Sequence, residues 1–197
     1  MDPRITNYIE HVRSICATRL SPNSTVKLVR EAAADLVVEP PALDEEHLIA
    51  PLDGYGRNLL HRDPDSGFTV VAMIWPPGSG GEPHDHGTWG IAAVSEGMIR
   101  ITSFDREDSG SVPGHARLTE RSWIDAGPGA VACVLPPHDE YHQVRNLTDE
   151  RAISIHTYGA DIRYCNAYDV EQQTTEVQYP TWTRRPALVG LGSAPSE

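Results

Sequence analysis

The chain has 197 residues, 39% of them hydrophobic and 22% charged, with 28 acidic against 16 basic side chains and a formal net charge of −12. That much apolar material builds a core and excludes wholesale disorder, while the acidic balance repels phosphate backbones and anionic lipid, so no nucleic-acid and no membrane partner is expected. A polar start carrying Asp2, Glu10 and several arginines is unlike a secretory leader, and Cys16, Cys133 and Cys165 make no CxxC pair, so the expected compartment is the reducing cytoplasm.

Ile5, Ile9, Val12 and Ile15 recur at helical spacing, and so do Val26, Val29, Ala33, Leu36 and Val37, with Ser21-Pro22-Asn23-Ser24 as the turn between them. The spacing predicts helices over 3–19 and 24–37, stopped by Pro40-Pro41, and allows a short third helix over 44–49. From Tyr55 the pattern changes to short β-branched and apolar runs at 68–75, 90–95, 98–104, 116–119, 130–135, 142–146 and 152–158, punctuated by glycine and proline. Such runs predict a mainly β sandwich or barrel. The expected organisation is a helical cover at 1–50, a β domain at 51–180 and a C-terminal extension or tail at 181–197, of which Ser193-Ala194-Pro195-Ser196-Glu197 reads as loose.

Nine histidines are present, and four fall in two short segments. In Pro83-His84-Asp85-His86-Gly87, strand geometry points His84 and His86 to one side and Asp85 to the other. Two imidazoles side by side are half of a metal site, although such a pair alone is weak evidence for one. The second segment, 136–146, carries His138, His142 and Asn146. In Ala152-Ile153-Ser154-Ile155-His156-Thr157-Tyr158, strict alternation puts a hydroxyl, an imidazole and a phenol on one face. There they can form a hydrogen-bonded relay; taken alone, the pattern reads first as an amphipathic strand facing water. His11, His47, His61 and His115 are expected at the surface, Cys133 inside a strand as a small hydrophobe, and Trp89 either in the pocket wall or in packing.

The two histidine segments resemble the paired motifs of the cupin superfamily. Gly78, His84, His86 and Gly97 match the first motif, with Gly90 where a glutamate ligand is usual. Pro137, His142 and Asn146 match the second, with Asp139 where a glycine is usual. The resemblance implies a cupin-type β-barrel, or jelly roll, in which His84, His86 and His142 bind a metal, with His138 as the competitor for the third place. Three neutral ligands leave coordination positions open and suit an anionic substrate, and on ligand count alone zinc hydrolysis remains a rival.

Ser154, His156 and Tyr158 on a late strand resemble the relay of the cysteine dioxygenase family, and Tyr55-Gly56-Arg57-Asn58-Leu59 is similar to that family's Tyr-x-Arg-Asn-Leu segment. This implies Fe(II) as cofactor, a small thiol carboxylate and dioxygen as substrates, and Arg57 and Tyr158 as substrate-binding residues. The resemblance implies L-cysteine first, because 3-mercaptopropionate dioxygenases usually carry glutamine in the arginine's place. Mercaptosuccinate stays open if Arg163 is a second carboxylate clamp, and so does a metal-bearing cupin that binds a small anion without turnover. Animal members carry a cysteine that cross-links to the relay tyrosine. Gly90 stands at about that place, so Tyr158 is expected unmodified.

Overall fold

A computed structural model describes residues 1–137 and 139–183, so His138 and the tail from 184, including 193–197, lie outside the described residues. Helix α1 (Pro3–Ala17) begins where the Asp2 side chain accepts the Arg4 N–H at 2.8 Å, and α2 (Pro22–Val37) begins at Ser21, whose hydroxyl accepts the Ser24 N–H. Both place proline in the first turn, where its missing N–H costs nothing. The third helical segment is one 3₁₀ turn, Glu45–His47, and His47 is buried rather than at the surface.

Ten strands follow among the described residues: β1 (Gly56–Arg62), β2 (Thr69–Trp75), β3 (Gly90–Glu96), β4 (Ile99–Arg106), β5 (Leu118–Ala126), β6 (Val131–Val134), β7 (His142–Arg145), β8 (Ala152–Tyr158), β9 (Cys165–Asp169) and β10 (Thr174–Gln178). One sheet has the order β1-β2-β8-β3-β6. The other contains β5-β4-β7 and the pair β9-β10, joined through residue 84, which bridges His142 on β7 and Ala167 on β9. Leu59, Val71, Met73, Trp75 and Val94 of the first sheet pack against Ile101, Ala126, Val144 and Cys165 of the second. The sheets therefore face each other as the halves of a jelly roll, the cupin fold.

Four sequence expectations need correction. β1 and the β9–β10 hairpin were not separated from their surroundings, because one is short and flanked by turns and the other is largely solvated along β10. β5 runs well past residue 119; seven of its residues are exposed, so apolar content could not mark it. The His84–His86 segment is an irregular stretch with a single bridge residue, not a full strand. Cys133 is exposed rather than buried.

The helices lie on the outer face of the first sheet. Ile5, Tyr8, Val12, Val26, Val29 and Leu36 share one core with Leu60, Phe68, Val70, Ala72, Ala93 and Ile155, and Trp89 packs against the same cluster. A buried 2.6 Å hydrogen bond between Tyr8 Oη and Thr157 Oγ1 ties α1 to β8. At the β3–β4 turn, Gly97 has φ +67°, and a Cβ there would lie 2.4 Å from the Arg151 carbonyl oxygen; only glycine fits. No helix among the described residues is long and apolar enough to cross a membrane.

Candidate metal and substrate site

β8 is flanked on both sides, so its alternation is fully buried. His156 pairs with Val71 on β2 and Ala92 on β3, and Ser154 and Tyr158 project with it into the space between the sheets. The polar face thus meets the interior of the jelly roll, not solvent. Buried polar groups need partners, and these supply one another. Ser154 Oγ lies 2.9 Å from His156 Nε2, and His156 Nδ1 lies 2.9 Å from Tyr158 Oη.

Trp75, at the end of β2, sets the direction of this chain. Its indole Nε1–H can only donate, and it donates to Ser154 Oγ at 2.9 Å. Among the described residues the serine hydroxyl has no other acceptor, so its hydrogen goes to His156 Nε2. The remaining imidazole hydrogen, on Nδ1, then donates to the Tyr158 oxygen and leaves the phenolic O–H free to donate into the cavity. Burial holds His156 down at about 3, with the Arg57 and His84 charges adding to the effect, and burial pushes the Tyr158 phenol up against the pull of Arg57. At neutral pH the imidazole is therefore uncharged and the phenol protonated.

Opposite the relay, His84, His86 and His142 converge, with ring centroids 4.5–5.0 Å apart and candidate ligand atoms all within 4.8 Å of one another. His84 Nδ1–H donates to the Glu82 carbonyl and His142 Nδ1–H to the Glu140 carbonyl, each at 2.9 Å. Those bonds fix the tautomer and leave each Nε2 lone pair for a metal. Burial lowers all three imidazoles, His142 to about 3 with His84 adding to the effect, and keeps them in the neutral form that ligates. The set fits one divalent ion held on one side, with the other positions open.

Asp85 points away, as the alternation requires. It accepts from the Asn166 backbone N–H at 2.9 Å, from Asn166 Nδ2 at 2.7 Å and from Tyr168 Oη at 2.7 Å. These bonds pin the irregular histidine segment to β9. Asn146 is structural: its amide donates to the carbonyls of Trp75 and Glu150.

A cavity of about 340 Å³ opens on the three histidines and the relay, and Tyr55, Arg57, Glu82 and Cys165 also line it. Arg57 pairs with Met73, which pairs with Ser154, so the arginine stands two strands from the relay on the same register. Its side chain is only 6% exposed, and Nη1 is buried without a hydrogen-bond partner. The guanidinium lies 4.4 Å from the centroid of the Trp182 ring. The Thr183 N–H donates to the Arg57 carbonyl at 2.8 Å and the Arg57 N–H to Thr183 Oγ1 at 2.9 Å. Residues 182–183 are thus docked on β1. Arg163 stays outside: its side chain is 83% exposed and lies 3.8 Å from Asp161.

Trp75, Trp182 and Thr183 escaped the sequence reading. A buried tryptophan needs an acceptor for its N–H, which was a usable signal at Trp75. Nothing local marks residues 182–183, because their partner lies far back along the chain.

A family model described as cysteine dioxygenase type I matches residues 41–171. Among solved structures, the chain is similar to an uncharacterized conserved protein with a double-stranded β-helix domain from Klebsiella pneumoniae (15% identity, 59% of this chain and 82% of that one, TM-score 0.45). It is also similar to a cupin superfamily protein from Desulfitobacterium hafniense (16% identity, 60% and 90%, TM-score 0.43) and to a cupin 2 conserved barrel domain protein from Salinispora arenicola (22% identity, 61% and 86%, TM-score 0.42).

Proposed function

The chain belongs to the cysteine dioxygenase type I family, and from that membership we propose a cytoplasmic iron(II)-dependent thiol dioxygenase that converts a small thiol carboxylate, L-cysteine first, to its sulfinic acid. In the reaction the O–O bond breaks and both oxygen atoms bond to sulfur. The electrons that sulfur gives up are those that dioxygen accepts, so no further reductant is needed.

His84, His86 and His142 would hold the iron. When bound, iron(II) acidifies the thiol and overcomes the spin barrier between dioxygen and a closed-shell thiolate. The observation that carries the substrate reading is the Arg57 guanidinium, buried in the same cavity with Nη1 unpartnered. A buried cationic donor of that kind calls for an anion, and a carboxylate matches its planar fork. Stacked on Trp182 and anchored through Thr183, Arg57 fixes the carboxylate end and so presents sulfur to the histidine cluster, which lowers the entropic part of the barrier. Tyr158, its oxygen held by His156, donates its free O–H to the substrate or to oxygen as charge develops. Because Arg163 lies outside the cavity, a monocarboxylate such as L-cysteine or 3-mercaptopropionate fits better than mercaptosuccinate.

The test is dioxygen uptake by iron(II)-loaded protein offered L-cysteine, 3-mercaptopropionate, cysteamine and mercaptosuccinate in parallel. Uptake matched by sulfinate, fastest with L-cysteine and poor with cysteamine, which lacks the carboxylate, is the expected result. Protein shown to hold iron that consumes no dioxygen with any of the four would instead be a metal-bearing cupin that binds without turnover.

A further inference from the structure

The space between the sheets is divided in two. The cavity that holds Arg57 lies over β1, β2 and β8 and under the histidine segment and β9. A second one, of about 210 Å³, lies over β8, β3 and β6 and under β7, β4 and β5. His86, His142, Val144, His156 and Tyr158 line both, so β7 borders the two cavities alike.

The second cavity exists because the first sheet presents small residues to it. Gly90 and Ala92 on β3 and Ala132 on β6 stand where larger side chains would fill the gap toward Ile101 and Ile124. At Gly90 the space is already tight, since a Cβ would come within 3.1 Å of the Tyr158 ring. The mouth lies between β6 and β5, the end strands of the two sheets, where Ser122, Trp123 and Cys133 are exposed. The two chambers differ in chemistry. Arg57 and Glu82 line the first, whereas no aspartate, glutamate, lysine or arginine lines the second.

A thiol carboxylate entering the second chamber would shed part of its hydration and find no arginine or lysine to pair its carboxylate. A small apolar molecule needs no such partner, and most of the chamber wall is apolar, its polar groups being Ser103, Ser122 and the histidines and tyrosine it shares with the first chamber. We propose that the chamber between β3–β6 and β4–β5 is the route by which dioxygen reaches the histidine cluster, while the thiol enters on the Arg57 side. The inference rests on the dioxygenase reading. It explains how a thiol seated on Arg57 can occupy its own chamber without closing the way to the gas. It also gives the small residues Gly90, Ala92 and Ala132 a purpose beyond packing.

Two measurements on the full chain test the route. The first is a crystal structure under pressurised xenon, an apolar probe that needs no turnover: xenon is expected in the β3–β6 chamber of the native protein and absent from Ala132→Phe. The second is steady-state kinetics of Ala132→Phe and, at the exposed mouth, of Ser122→Phe, with Ala132→Ser as the size-conserving control. The KM for dioxygen should rise about threefold or more in the filled variants, with the KM for the thiol unchanged. Should Ala132→Phe fail to fold, Ser122→Phe carries the kinetic test from a solvent-facing position. An empty chamber under xenon, or an unchanged KM for dioxygen in the filled variants, overturns the route alone. A rise in the thiol KM instead would make the chamber part of the thiol's own site and also overturn it. Xenon bound in a chain that consumes no dioxygen with any thiol overturns the dioxygenase reading and the route with it.

Discussion

Along β8, Ile155 and Thr157 face the helices while Ser154, His156 and Tyr158 face the interior of the jelly roll, and every residue of the strand is buried. The two faces share one backbone and one degree of burial, yet they answer to different constraints. The outer face gains stability by excluding water from hydrocarbon. The inner face gives up that gain and must satisfy each polar atom internally, which it does through Trp75, Ser154, His156 and Tyr158 in series. Burial alone therefore says nothing about purpose; the hydrogen-bond partners do.

Substitutions on the two faces should separate the two roles. The largest effect is expected at the open end of the inner face. Tyr158→Phe keeps the ring and removes the one free O–H, so kcat should fall roughly a hundredfold while bound iron, measured by metal analysis, stays unchanged. Unaltered turnover would remove the relay from the mechanism. Next comes Arg57→Ala, which takes away the charge-assisted bonds to the carboxylate. The KM for carboxylate thiols should rise on the order of 10- to 100-fold, and cysteamine should be indifferent to the change.

A third test uses acid. His156 is held by burial from its ordinary value of 6.5 down to about 3, so between those values the unfolded chain takes up a proton at this position that the folded chain refuses. Stability contributed by the neutral imidazole is therefore full above about pH 6.5 and is lost as pH falls toward 3. Urea unfolding of the native protein and of His156→Gln should show the native advantage shrinking by about 2 kcal/mol between pH 7 and pH 5; a constant gap would mean that the imidazole takes up its proton as readily in the folded chain as in the unfolded one. The smallest effect is expected on the outer face. Ile155→Val should cost about 1 kcal/mol of stability and leave kcat where it was, and a matching loss of turnover would show that the two faces are not independent.

Local patterns were enough to put Ser154, His156 and Tyr158 on one face and to pair His84 with His86, because side-chain alternation is a property of a few consecutive residues; His142 came only from the resemblance to the paired cupin motifs. His84 and His86 kept their common side even though their segment is not a regular strand, since Asp85 is drawn the other way by Asn166 and Tyr168. What local patterns could not carry was anything made by distant partners. Trp75 ends an apolar run and reads as core until the serine that accepts its proton is placed beside it. β5 hides because a long strand at a sheet edge is free to be polar. The stacking of Trp182 on Arg57 joins residues separated by most of the chain, with no periodicity to announce it.

That last contact has a consequence for the order in which the protein is made. Arg57 leaves the ribosome early and Trp182 late, so a nascent chain carries the guanidinium long before the indole that stacks on it has been synthesised. The histidine cluster and the relay are both complete in sequence by Tyr158, but the roof over Arg57 is added only after the last strand, β10, has emerged. Synthesis interrupted between those points leaves a polypeptide in which the Arg57 side chain lacks its indole neighbour.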